Sequence, residues 1–241
     1  MSTLEAGTIE PQSGTTVTLG TSGDAVVIGA DALKVNTVKD AGANTIFTSD
    51  GSGTLSSVNS ALAGNMVFIS SHTASDDAYI TITSGIDSTY DEYVLYFVNI
   101  NPGTNDKAFG FQASIDGGSN YNTSMTTNQW EAQHGEGGAG GALNFAYWND
   151  SHGDTGHIIL AGAIGSGADE STSGEMRLFN PSSTTYGKNW YTTFQLYYES
   201  DYSRHSLTGG HIDTASAVNA LKFYMSSGNI NEGTIYLYGI K

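Results

Sequence analysis

The chain contains no cysteine, which excludes a disulfide-stapled scaffold, a CxxC redox motif, a thiolate zinc site and a cysteine nucleophile. Positive charge is scarce: 8 Lys+Arg stand against 24 Asp+Glu, a formal net charge of −16 at pH 7. That balance argues against a nucleic-acid partner, because a phosphate backbone requires a basic surface. No apolar run approaches the ~20 residues of a membrane-spanning helix, so membrane insertion is not expected. No charged-then-apolar leader opens the sequence, and any export is expected to bypass the usual secretory route.

What the sequence does hold is 31 Gly, 14 Tyr and abundant Ser, Thr and Asn, with only 13% charged residues. Helical proteins are rich in Ala, Leu, Glu and Lys, whereas Thr, Tyr, Val, Ile and Phe suit a pleated surface. Hydrophobic content of 38% and aromatic content of 11% are enough for a core. The composition predicts an all-β protein.

Aromatics are unevenly placed. Residues 1–64 contain a single one, Phe47, and every other ring lies beyond. We therefore expect a boundary near Gly64, with a β-rich N-terminal segment (1–64) and a β-sandwich domain (65–241). The N-terminal segment is built of short apolar triplets such as Val17-Thr18-Leu19, Val26-Val27-Ile28 and Thr45-Ile46-Phe47, separated by turn residues. Strands this short cannot enclose a core alone, so the segment needs stacked coils of itself or other copies of the chain. A flexible tether is the alternative, and the number of Val, Ile and Leu side chains weighs against it. Leu55, Val58 and Leu62 follow helical spacing and predict one or two helical turns over 55–62.

Beyond residue 65 about eleven strands are expected, at 66–69, 79–83, 93–99, 109–115, 143–148, 156–163, 175–179, 190–198, 204–212, 220–225 and 234–240. Turn chemistry at Asn101-Pro102-Gly103, Asp116-Gly117-Gly118 and Ser226-Ser227-Gly228-Asn229 separates them. Many strands without intervening helices indicate a two-sheet sandwich, with jelly-roll-like or Greek-key wiring expected. Phe97, Phe111, Phe194 and Phe223 are assigned to its core.

Stretches at both ends and in the middle of the chain carry a family resemblance. The opening Gly7-Thr8-Ile9-Glu10-Pro11-Gln12-Ser13-Gly14-Thr15-Thr16-Val17-Thr18-Leu19-Gly20, followed by Ser22-Gly23-Asp24, resembles the N-terminal signature of tail-fibre and related virion proteins of aquatic tailed phages. The ending Gly233-Thr234-Ile235-Tyr236-Leu237-Tyr238-Gly239-Ile240, preceded by Ser227-Gly228-Asn229-Ile230, is similar to the closing strand of the sandwich that caps many of them. Tyr90-Asp91-Glu92-Tyr93, Asn101-Pro102 and Asp116-Gly117-Gly118 fit the same domain. The resemblance implies a homotrimeric virion component, assembled in the host cytoplasm. Its N-terminal part would dock on other virion proteins and its sandwich would point outward.

The chemistry-bearing residues are sparse. His152-Gly153-Asp154 with His157 and nearby Asp150 could ligate a divalent ion, but loop-to-strand geometry splits such residues between faces, and they are read as loop polars. Asp76-Asp77, Asp91-Glu92 and Asp169-Glu170 are read as solvated tips, with Asp91-Glu92 protecting a sheet edge. Gly135 to Gly141 is a flexible loop rather than a phosphate cradle, since it lacks a Lys and a following helix. No GxSxG, Walker A or HExxH motif occurs, and neither an enzymatic role nor a metal or other cofactor is expected. The candidate contacts to a host-surface glycan are Trp130, Trp148 and Trp190, with Asn149, Asp150 and Asn189 as hydrogen-bonding partners. Sugar rings stack their C–H faces on aromatics and bond their hydroxyls to amides and carboxylates. For each ring the competing role is in the core or a trimer interface. A tail fibre is the leading expectation. A capsid decoration protein comes second, and a glycan depolymerase third, since the chain has room for few β-helical coils.

Overall fold

Strand follows strand throughout the computed structural model, which describes residues 36–52, 54–58, 64–138 and 140–241. The chain divides into two units, residues 1–62 and 63–241. In the first, β1 (Thr37–Lys39), β2 (Thr45–Ser49) and β3 (Leu55–Val58) make a small antiparallel sheet in that order. The helical turns expected over 55–62 are therefore corrected: Leu55–Val58 is a strand, with Val58 opposite Phe47. A run this short cannot nucleate a helix, whereas pairing with β2 satisfies its backbone at once. Residues 59–62, and the triplets at 17–19 and 26–28, lie outside the described residues.

The second unit contains twelve strands: β4 (Met66–Asp77), β5 (Ile80–Ile82), β6 (Glu92–Pro102), β7 (Lys107–Ser114), β8 (Met125–Gly135), β9 (Ala142–Phe145), β10 (Ile158–Ile164), β11 (Thr172–Phe179), β12 (Lys188–Tyr198), β13 (Tyr202–Ile212), β14 (Ala220–Met225) and β15 (Ile230–Ile240). Every pairing is antiparallel. The order β4-β15-β6-β11-β12-β13-β8-β9 forms one layer and β10-β7-β14-β5 the other. They join where β12 meets β10 through a single pair, Ile164 and Tyr198. The fold is an all-β sandwich.

Its core is aromatic. Phe97 of β6 and Phe194 of β12 project from the larger layer onto Phe109 of β7 and Phe223 of β14. Ring centroids lie 5.0 Å apart for Phe97–Phe194, 5.2 Å for Phe97–Phe223 and 5.6 Å for Phe97–Phe109. Such pairs add ~0.5–1.5 kcal/mol each beyond simple burial. Beside them Trp190 of β12 meets Phe111 of β7 edge to face at 4.8 Å. Between β6 and β15 the ladder is interrupted at Gly233, whose φ of +125° belongs to glycine. A Cβ there would come within 2.8 Å of the Asn99 carbonyl oxygen.

Two sequence expectations change here. Glu92 does not guard an edge: β6 is flanked by β15 and β11, and Glu92 Oε1 binds Arg177 Nη1 across the ladder at 2.6 Å. The span 125–135, absent from the expected strands, is a full strand, and the expected strand over 143–148 stops at Phe145 before a 3-10 turn, Tyr147–Asn149.

Candidate functional site

Two surfaces of the sandwich unit carry candidate function. The first is the outer face of β12, β13, β8 and β9. Pairing aligns Thr193 with Leu207, Leu207 with Trp130, and Trp130 with Phe145, while Ala132 stands opposite Leu143. Paired residues share a face, so Tyr191, Leu207, Trp130, Phe145 and Leu143 lie together. They are 43%, 44%, 55%, 54% and 78% exposed. The remaining outward positions of these strands are Asn, Thr, Gln, Ser, Gly, Tyr, Ala and His. None is Asp, Glu, Lys or Arg, in a chain with 24 carboxylates. Charge returns at β11, with Glu175 and Arg177, and at the strand ends, where Glu136 and Asp201 bind the Tyr197 hydroxyl and Asp213 binds His211 and Thr126.

The second surface lies under the same strands, on the inner side. β8 buries polar residues: Gln129 is fully buried, and Glu131 is 2% exposed. Gln129 Nε2 donates to Leu160 O at 3.3 Å and to Thr208 Oγ1 at 3.0 Å. Glu131 Oε2 faces Arg204 Nη1 at 3.4 Å, and Arg204 Nε and Nη2 donate to Gln133 Oε1 at 3.0 and 2.7 Å. The guanidinium also covers the Tyr198 ring at 3.6 Å. Held on three sides, Arg204 lines a groove of about 480 Å³ beside the junction of the two layers. Asn149, Asp106, Ala108 and Ile159 line it with Arg204 and Tyr198. Ala163 on its wall and Asp106 have φ of +55° and +60°, a strained region for side chains other than glycine.

The residues singled out in the sequence are thus dispersed. Trp130 is an exposed ring in the middle of β8, and Asn189 lies on the same outer face, opposite His211. Trp190 is corrected from a surface contact to a core residue: it points inward, is 2% exposed, and its indole N–H has no acceptor. Asp150 is a structural acceptor, its Oδ1 receiving the Gln129 backbone N–H at 2.8 Å. Asn149 lines the groove. Trp148 belongs to the 3-10 turn, and its side chain lies outside the described residues. His157 lies half-buried over Gly110 on the outer face of the smaller layer and pairs through Nε2 with Tyr224 O at 3.0 Å, apart from exposed His152. Among the described residues no three His, Asp or Glu side chains converge as metal ligands. Arg204, Tyr198 and Glu131 were missed by sequence reasoning. A lone Arg in a strand carries no motif, and only the pairing of β13 with β8 brings it to Glu131.

No family model, no curated protein and no solved structure matches the chain.

Proposed function

We propose that the chain is a non-catalytic structural protein of a tailed-phage particle. In this reading it is a homotrimeric fibre, its N-terminal segment docking on other virion proteins and its sandwich meeting the host surface. The phage assignment rests on the sequence resemblance. The structural observation that supports self-association is the uncharged outer face of β12, β13, β8 and β9. Copies carrying −16 each repel one another, so contact favours a face without carboxylates. Exposed Trp130, Phe145, Leu143, Leu207 and Tyr191 gain by leaving water there. A second copy of this chain is the occupant that satisfies both conditions.

The test is light scattering on the purified chain and on Leu207→Asp, which puts a carboxylate at the centre of the face. The wild type is expected to be a trimer at micromolar concentration and the variant a monomer that still unfolds cooperatively, its melting temperature lowered only by the loss of association. A wild-type monomer overturns the assembly, and a variant that stays trimeric overturns the part given to this face in it. Immunogold label on the capsid rather than the tail would replace the fibre by a decoration protein.

A further inference from the structure

The geometry points to a second function for the sandwich: the groove between Asn149 and Arg204 is a binding site for a neutral sugar. This inference rests on the host-surface reading above and names the chemistry that would carry it. Three features select that ligand. The size is right, since about 480 Å³ lies within the ~300–1,000 Å³ of small-ligand sites. The lining is mixed, with Ala108 and Ile159 offering an apolar floor beside the amide of Asn149, the guanidinium of Arg204 and the carboxylate of Asp106. A pyranose needs that combination, because its C–H faces are apolar and its rim is a ring of hydroxyls.

The third feature is rigidity. Gln133 takes the Nε–Nη2 edge of the Arg204 guanidinium, Glu131 faces Nη1 and Tyr198 covers a face, leaving a further N–H donor on each terminal nitrogen. A donor already fixed loses little conformational entropy on binding. The charge balance then sets the class of sugar. Glu131 compensates Arg204, and Asp106 adds a negative charge to a chain already at −16. An acidic sugar is repelled. The larger groove of about 530 Å³ near Asn101 lacks the apolar floor, being lined by Asp169, Glu170, Glu232 and asparagines.

Saturation-transfer NMR on the full chain tests the site with galactose, glucose, mannose and N-acetylglucosamine as probes and N-acetylneuraminate as the acidic control. At least one neutral sugar is expected to receive saturation and the acidic one none. Asn149→Ala should weaken binding roughly fivefold, about the loss of one hydrogen bond. Ala108→Phe, which fills the groove from a partly exposed position, should abolish it. Trp130→Ala, on the opposite face, should leave it unchanged. The site is overturned if no neutral sugar is saturated, if the acidic sugar binds better, or if Ala108→Phe binds as wild type. It is equally overturned if Trp130→Ala alone removes the signal. Melting curves on each variant separate lost binding from lost folding. Because the groove lies within one chain, a sugar-binding monomer would refute the trimer and leave the site standing, and a trimer that binds no sugar would do the reverse.

Discussion

At the scale of single residues, His157 shows how one position constrains another. Its ring meets Tyr224 edge to face at 4.6 Å and its Nε2 lies 3.0 Å from the Tyr224 carbonyl oxygen. The imidazole fits because residue 110 is glycine: a Cβ there would lie 2.6 Å from His157 Nε2 and would also strike the Ile158 carbonyl. Burial pushes the His157 pKa below its ordinary 6.5, with the Tyr224 carbonyl opposing in part. The folded chain then binds fewer protons than the unfolded one. Stability from this group is complete above pH 6.5 and falls as pH drops through 6.5 toward the folded value. His72, also lowered by burial, acts in the same direction. We expect the melting temperature to fall between pH 7 and 5, and to fall less in His157→Gln, whose amide N–H still reaches Tyr224. Identical slopes in the two proteins would refute the assignment. Asp116, held down to about 2 by Asn120 and Ser114, enters only at much lower pH.

At the scale of elements, β8 explains what the sequence conceals. Strands β6, β7 and β14 send their Phe side chains inward, and each was legible as an apolar run. β8 inverts the pattern: Thr127, Gln129 and Glu131 are buried and Trp130 is exposed. Alternation read from hydrophobicity places Trp130 in a loop or a core, because nothing local shows that Gln129 and Glu131 will find Thr208 and Arg204 on β13. Trp190 fails in the opposite direction. Its polar neighbours Asn189 and Lys188 suggest a surface, yet Lys188 is itself buried, donating Nζ to Tyr186 O and Thr214 O at 2.8 and 2.9 Å. The sandwich was legible because it depends on many apolar strands. The groove was not, because it brings together residues as distant in sequence as Ala108, Asn149 and Arg204. A test of the β8–β13 network follows. Arg204→Met leaves the Glu131 carboxylate buried without its cation, at a cost of about 3–5 kcal/mol in urea unfolding. Arg204→Met combined with Glu131→Gln should recover most of that loss. A double variant as unstable as the single one would mean that packing of the Arg204 stem on Tyr198 matters more than charge.

At the scale of the whole molecule, stability is divided unequally between the two units. Among the described residues every member of the hydrophobic core, from Ala74 to Leu237, belongs to residues 63–241. Among the described side chains of the first unit none is buried, although β1, β2 and β3 pair through ladders that each carry one register shift. A three-stranded sheet without a covered face is marginal in water, so strands β1 to β3 need cover from the rest of the first unit or, as proposed above, from other copies of the chain. The two units should therefore respond differently to isolation. A chain beginning at Ala63 is expected to unfold cooperatively within about 2–4 °C of the full protein, the shift that ~1 kcal/mol produces in a domain of this size. A peptide of residues 1–62 is expected to lack strand circular dichroism when dilute and to gain it when three copies are fused to a trimeric coiled coil. A sandwich that aggregates without residues 1–62 would show that the N-terminal unit contributes to the core. A peptide that folds alone as a monomer would remove the need for neighbouring copies, and with it the physical case for trimerisation through that segment.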